Sequence, residues 1–344
     1  MKPITLKVIT LEDVETIFKN RTDMIFDIVI DAFKKYINGD VLLPDKISQI
    51  FDNSTQNRIN CMPATLFSEA VSGLKWVSVF PTNAAVGEPN VTGVMLLSEI
   101  KTGFPIALID GTLCTKIRTA AVGCVAAKYL APSKVKKVGF IGAGEEARMH
   151  CVLLKHLFQT INTCRVASRK HSTEIDFVNE LSRCMKDVSF IDCEGDYSKA
   201  VEDTDIIVTA ISAQAPLLKA NAINKGCLYI HVGGWEDEYA VAQKASKIVC
   251  DDWEASKHRT QTISRMYKEG LLTDDDIYAN LNEIIQGSKL GRENDEEIIY
   301  FNSVGLSFID INFANEIYKQ AQEMHLGRMV TLAGLNDTDY SIFL

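Results

Sequence analysis

KKVGFIGAGEEA, residues 136–147, decides the fold. Its first half is a short apolar run of β-prone residues and predicts a buried strand. Its second half, Gly142-Ala143-Gly144-Glu145-Glu146-Ala147, has the spacing GxGxxA and opens a helical pattern that continues to about Phe158. The motif alone is weak, but a strand before it and a helix after it make it informative. Gly142 permits the tight turn, Gly144 lets the backbone approach a pyrophosphate, and Ala147 lets the helix pack closely on the sheet. The helix start contributes free N–H groups and the positive end of the dipole. These features predict a dinucleotide site.

Toward the C-terminus the pattern repeats. TCRVAS (163–168) predicts a second strand and Glu174 to Cys184 a helix, and VSFIDC (188–193), DIIVTAI (205–211), CLYIHVG (227–233) and KIVCDD (247–252) predict further strands. Strands alternating with helices imply a parallel, doubly wound α/β sheet, a Rossmann domain over residues 118–305. The second strand ends Ser168-Arg169-Lys170, with no carboxylate before Glu174. An acid there would accept from a ribose 2′-OH. Arg169, with Ser168 and Lys170, suits a 2′-phosphate instead, so NADP(H) is the expected cofactor and NAD(H) the alternative.

Toward the N-terminus the character changes. Leu11 to Phe18 and Met24 to Tyr36 have helical spacing, whereas residues 40–110 hold β-rich runs such as LKWVSVF and VTGVMLL between PTNAAVGEPN and KTGFP. That spacing predicts an antiparallel sheet. A small-residue helix is expected from Arg118 to Leu130, and a late one over residues 308–325 that returns to the N-terminal part. The second domain is therefore expected to be α+β and discontinuous, over residues 1–117 and 306–344.

The balance of 36 basic against 45 acidic residues, net −9, argues against nucleic acid or an anionic membrane as partner. The N-terminus lacks a charged-then-apolar signal, and no apolar run reaches the ~18 residues needed to span a bilayer. Nine cysteines at irregular spacing, without CxxC, suit a reducing cytoplasm. No histidine shows metal-ligand spacing, so no metal is expected.

Several further stretches, GLKWVSVFPTN (73–83), IRTAAVG (117–123), LGRENDEEI (290–298) and FNSVGLSFID (301–310), occur in order with the glycine turn. Together they resemble the ornithine cyclodeaminase/μ-crystallin family over nearly the whole chain. The resemblance implies a homodimer whose N-terminal domain binds substrate and mediates dimerisation. Family members include cyclodeaminases, alanine dehydrogenases, ketimine reductases and a siderophore-pathway dehydrogenase that liberates 2,3-diaminopropionate. It also implies that Lys75 meets a substrate carboxylate and that Arg118, with Thr119, starts the connecting helix beside substrate carboxylate and cofactor phosphates. Asn90, Glu145, Glu146, Thr209, Val232, Gly233 and Ser303 match cofactor-contact positions, and Val304 a substrate-side backbone position.

The departures carry as much information. Cyclodeaminases have VGGD where this chain has Val232-Gly233-Gly234-Trp235, and tryptophan cannot act as a general base. Glu236, next in line, is the candidate replacement. Pro44-Asp45-Lys46 stands in place of a PxR stretch, so Lys46 takes the place of a substrate arginine, and Arg58 adds a second cation. Asn60 replaces a glutamate ahead of Met62-Pro63. A lysine beside an arginine is a candidate proton donor, which makes Lys75 one.

The expectation is an NAD(P)-dependent imine reductase or amino-acid dehydrogenase acting on a small carboxylate-bearing amino acid or imine. The alternatives are an ornithine cyclodeaminase using Glu236, and a non-catalytic μ-crystallin-like binding protein. Asp251-Asp252 is expected to be a strand-end cap before Trp253, and His231 a packing histidine.

Overall fold

The computed structural model of the chain describes residues 3–52, 54–211, 214–333 and 340–343. The strand Lys137–Ile141 forms as expected, within a sheet of eight described strands, all parallel. The order is Ser189–Asp192, Thr163–Ala167, Lys137–Ile141, Ile206–Thr209, Leu228–His231, Ile299–Asn302, Lys247–Cys250 and Ala279–Asn280. The chain winds outward from Lys137–Ile141 in one direction, then returns to Ile206–Thr209 on its other side. Ligands of open α/β sheets bind at the carboxyl ends of strands where the order reverses in this way. Ile141 is in register with Thr209 there, and the glycine turn begins at the next residue.

Parallel strands covered on both faces are apolar throughout, and Val138, Phe140, Ile206, Ile207, Val208, Leu228 and Ile230 are all buried. Sequence analysis did not assign the strand Ile299–Asn302. Its run is too short for periodicity to distinguish it from a loop, yet it lies between Leu228–His231 and Lys247–Cys250. The connecting helix runs from Thr112 to Leu130 and starts six residues before Arg118. Asp110 explains the early start, because its carboxylate accepts from the amides of Thr112 and Leu113.

The chain divides into two compact units, one of Met1–Arg21, Asn38–Thr115 and Ser307–Leu344, the other of Thr22–Ile37 and Lys116–Leu306. The helix Thr22–Ile37, which sequence analysis assigned to the N-terminal domain, groups with the parallel-sheet unit. Its polar contacts give the reason. Asp23 lies 2.8 Å from His156 Nε2, and the Tyr36 hydroxyl donates to Asp252 Oδ2 at 2.9 Å.

The first unit holds a mixed sheet ordered Arg328–Ala333, Ile4–Ile9, Pro105–Asp110, Val91–Glu99, Val71–Val79, Asn57–Leu66 and Val41–Leu42, with Ile47–Asp52 also paired to Asn57–Leu66. Strands from residues 41 to 110 pair antiparallel as expected, whereas Ile4–Ile9 runs parallel to Pro105–Asp110. The late helix, Ser307–Glu323, packs on the strands from Asn57 to Glu99. Alternation along the strands sorts the two faces. Met62, Lys75, Met95 and Ile109 share a register row and are buried. The next row, Cys61, Trp76 and Val94, faces outward, with Trp76 38% and Val94 41% exposed.

Candidate functional site

The glycine turn has the form a dinucleotide needs. Gly142 sits at φ +107, and a side chain there would strike Ile211 and the Ala210 carbonyl. Gly144 caps the helix Glu145–Leu157 without a side-chain bond, so no side chain of its own claims the first amides. A Cβ placed on Gly144 meets nothing within 4 Å, which leaves room for a pyrophosphate. These features fit the cofactor. Glu145 is exposed and bonds Lys116 at 2.9 Å, while Glu146 is half-buried on the first turn.

At the end of Thr163–Ala167, Arg169 and Lys170 are exposed and Ser168 is buried. The Ser168 hydroxyl is turned inward, bonding the Lys170 carbonyl at 2.9 Å and Thr173 Oγ1 at 2.7 Å. It is therefore engaged in the loop, unlike the phosphate donor expected of it. Glu174 is fully buried and accepts from the amides of Ser168, Cys193 and Gly195. Its carboxylate braces the loop and is committed to backbone.

Beyond Leu228–His231 the chain forms a short strand, Trp235–Asp237. Glu236 is fully buried while Trp235 stays partly exposed, with the Arg265 guanidinium 4.7 Å from its ring. Glu236 Oε2 accepts from Thr209 Oγ1 at 2.7 Å and from the Gly233 amide at 2.9 Å, and Oε1 accepts from the Ile211 amide at 2.6 Å. A Cβ on Gly233 would lie 2.2 Å from Glu236 Oε1, so the second unit needs glycine there. Glu236 thus ties the ends of two strands together, and a general base aimed at substrate would need those lone pairs. Burial raises its pKa from 4.5 to about 7.

Asp237 follows, also fully buried, and accepts on Oδ1 from Thr262, Tyr300 and Tyr229. Burial raises its pKa from 3.8 to about 8. His231 Nε2 lies 3.5 Å from both carboxyls, a distance suggestive of ion pairs. Burial, however, lowers the His231 pKa to about 4, so the imidazole is neutral and these approaches are not salt bridges. Asn302 Nδ2 donates to Gln261, which leaves Asn302 Oδ1 to accept from His231 Nδ1 at 2.8 Å. His231 is a packing residue, as expected from the sequence.

Thr209, Ser303 and Val232 line the strand ends. The hydroxyls of Thr209 and Ser303 point into the protein, toward Glu236 and Asp251, so what they offer outward is backbone. The Val232 amide is bonded to the Thr209 carbonyl. Val304 and Gly305 follow, and Gly305, at φ +78, lies against Arg118. A Cβ there would come 2.5 Å from Arg118 Nη1. Arg118 and Thr119 are both buried on the connecting helix.

In the first unit Lys75 is fully buried, and its Nζ bonds Asp310 Oδ1 at 2.7 Å. The carboxylate of Asp310 is an ionic partner for Lys75 within this unit. Asp310 supplies counter-charge for an ammonium, the form of lysine that carries a proton to give. Arg58 shares Lys75's sheet face but stands four residues along from Met62, Lys75's cross-strand partner, about 13 Å at strand rise. Arg58 Nη1 bonds the Gln56 carbonyl at 3.0 Å, and Lys46 is half-buried just before the strand Ile47–Asp52. Asn60, which stands between Arg58 and Met62 and is buried, accepts from Ser48 at 2.8 Å. Asn90 folds the Pro81–Ala85 turn by accepting from the amides of Ala84 and Phe80.

Asp310 and Asp251 were not given site roles by sequence analysis. Asp310 lay within the stretch FNSVGLSFID, where an acid among apolar residues at helical spacing was the available signal. Asp251 resembled an ordinary strand-end cap.

Comparison with known proteins is consistent with this architecture. The model of the ornithine cyclodeaminase/mu-crystallin family matches residues 7–325. A Delta(1)-pyrroline-2-carboxylate reductase of Bacillus cereus is 33% identical over 307 residues, 87% of this chain and 92% of that protein. The structure of the Thermococcus litoralis Delta(1)-pyrroline-2-carboxylate reductase in complex with NADH and L-proline superposes with TM-score 0.89 and 30% identity, covering 94% of this chain and 99% of the other. An archaeal alanine dehydrogenase dimer with bound NAD gives TM-score 0.86 and 31% identity, covering 95% and 99%.

Proposed function

This chain belongs to the ornithine cyclodeaminase/mu-crystallin family, and from that membership we propose that it reduces a preformed imine carrying an adjacent carboxylate, Δ1-pyrroline-2-carboxylate being the first substrate to test. The broader class is an NAD(P)-dependent oxidoreductase of the carbon–nitrogen bond in amino or imino acids, as its relatives are. The observation that carries the finer reading is that neither of the first two residues after Val232-Gly233-Gly234 offers a free carboxylate. Trp235 has no carboxylate, and Glu236 is committed to Thr209 and two backbone amides. Cyclodeamination, or amination of a keto acid, needs a group that manages ammonia and water at the reacting carbon. Reduction of a C=N that already exists needs only a held carboxylate, a polarised imine and a hydride. A bound nicotinamide cofactor supplies that hydride. Arg118, walled by Gly305, suits a bidentate grip on the carboxylate, and Lys75, paired with Asp310 in the first unit, is the second cation that the family resemblance assigns to substrate. Lys46 and Arg58 serve substrates with a further carboxylate.

The cofactor preference is for NADP(H), on the exposed Arg169 and Lys170 and the lack of a free acid at that strand end. The assembly is a homodimer through the outward row Cys61, Trp76 and Val94. The chain acts in the cytoplasm, where its nine unpaired cysteines stay reduced. Among the described residues, no helix is long and apolar enough to cross a membrane.

The test is spectrophotometric. NADPH consumption with Δ1-pyrroline-2-carboxylate should exceed that with pyruvate plus ammonium, and ornithine should yield neither ammonia nor proline. Robust proline formation from ornithine that is lost in Glu236→Gln would overturn the reading and make Glu236 the catalytic carboxylate.

A further inference from the structure

The geometry points to Asp251 as the positioning residue that sets the Arg118 grip, by holding the loop Ser303-Val304-Gly305 through one carboxylate oxygen. This rests on the reading of Arg118 as the carboxylate clamp. The two strands leading to the region, Lys247–Cys250 and Ile299–Asn302, run parallel with Cys250 opposite Asn302. The Asp251 amide bonds the Asn302 carbonyl at 2.9 Å, so the chains leave the sheet side by side. Asp251 Oδ2 then accepts from Ser303 Oγ at 3.0 Å, the Val304 amide at 2.8 Å and the Gly305 amide at 3.0 Å. Its other oxygen accepts from the Asp252 amide at 2.9 Å.

Asp252 has a separate task. It caps the helix Trp253–Ser256 through the Ala255 amide and accepts from the Tyr36 hydroxyl. The expected strand-end cap is therefore Asp252 alone, and Asp251 is turned toward the loop.

What the loop does follows from Gly305. Its backbone lies so close to Arg118 that a Cβ would overlap the guanidinium. The loop is a wall of the guanidinium site, and a shift of a few tenths of an ångström in the loop moves that wall. Three donors aimed at one oxygen require that oxygen as an acceptor, which the ionised carboxylate provides fully. A proton on Oδ2 turns an acceptor into a donor facing donors. Burial raises the Asp251 pKa from 3.8 to about 6, against the pull of the four hydrogen bonds. The titratable and charged groups around it are Cys250 and Asp252 on its own segment, Tyr36 on the helix Thr22–Ile37, and Arg118 beyond Gly305 on the connecting helix.

Substrate affinity should therefore weaken as pH falls through about 6, with KM rising more than kcat falls. Asp251→Asn keeps an oxygen for the loop donors and cannot titrate. Asp251→Ala removes the brace. With the intact enzyme, cofactor and Δ1-pyrroline-2-carboxylate, wild-type KM should rise about tenfold between about pH 8 and about pH 5. Asp251→Asn should show a KM within about fivefold of wild type at pH 8 and lose most of that rise. Asp251→Ala should raise KM about 30-fold or more across the range. An unchanged acid limb in Asp251→Asn, or an unchanged KM in Asp251→Ala, overturns the inference. Amide hydrogen exchange at Val304 and Gly305, read without substrate, separates this inference from the functional reading. Faster exchange at these two amides in Asp251→Ala supports the brace even if the wild type reduces no imine, which would then count against the function alone. Unchanged exchange overturns the brace whatever the substrate.

Discussion

Asp237 carries its two oxygens into different surroundings. Oδ1 takes three hydroxyl donors, while Oδ2 is buried with no hydrogen-bond partner. Such a carboxyl is held protonated, and so, by burial, is its neighbour Glu236 over much of the neutral range. Unfolded, both ionise near pH 4. Between about pH 4 and about pH 8 the folded chain therefore binds more protons than the unfolded one, and stability falls as pH rises through that window. His231 works the other way between about pH 4 and 6.5, since burial lowers its pKa and folding must keep it neutral. Asp237→Asn retains the Oδ1 acceptor and removes one ionisation. Its stability relative to wild type, by thermal or urea unfolding, should be higher at pH 8 than at pH 5 by on the order of 1–3 kcal/mol. Identical pH slopes in the two proteins would show that Asp237 is already ionised. At Arg169, exposed at its strand end, substitution by Asp should weaken NADPH binding by about 10–100-fold and favour NADH, because a carboxylate repels a 2′-phosphate and bonds a 2′-OH. A wild type that binds NADH more tightly in fluorescence titration removes the preference altogether.

The strand Val71–Val79 and the helix Ser307–Glu323 are joined by an ionic contact beneath a largely apolar interface. Lys75 and Asp310 lie at 2.7 Å with almost no solvent exposure on either side chain. A buried pair contributes little net stability, but losing one partner leaves an uncompensated charge at a cost of about 3–5 kcal/mol. Lys75→Ala should accordingly unfold more easily than the double variant Lys75→Ala/Asp310→Ala, although the double variant removes more atoms. Urea denaturation of the four proteins in the cycle gives the coupling directly. Additive effects would mean that helix and strand are held by packing alone. The same cycle guards the functional interpretation, since loss of activity in Lys75→Ala reports on substrate binding only if the fold has survived.

For the whole molecule, the distribution of apolar surface is the guide. The first unit's sheet buries one face under the helix Ser307–Glu323 and leaves the row Cys61, Trp76 and Val94 outward. A contiguous outward apolar row marks an interaction surface, and in the proposed dimer a second copy of the same strands would meet it isologously. Light scattering at micromolar concentration should give twice the chain mass. Trp76→Glu should shift it toward monomer by placing a charge in the middle of the row. A wild type that stays monomeric rules out this dimer.

The nucleotide-binding half of the protein was legible because its information is local. A buried parallel strand needs a short apolar run, and a pyrophosphate turn needs glycines at set spacing before a helix, so residues 136–147 and the strand–helix alternation after them carried the doubly wound sheet. Trp235 was equally legible, since the lack of an acid is a property of the residue. Glu236 was not, because its bonds to Thr209 and the Ile211 amide form only when two strand ends more than 20 residues apart come together. The strand Ile299–Asn302 was hidden for a related reason. A four-residue run, Ile-Tyr-Phe-Asn, is strand or loop according to its neighbours, which lie about 50 to 70 residues away in the chain. Asp310 and Asp251 found their partners 235 and 52 to 54 residues away. Spacing within a segment is a local constraint that sequence can express, whereas the partner of a buried charge is chosen only when distant segments pack and water is excluded.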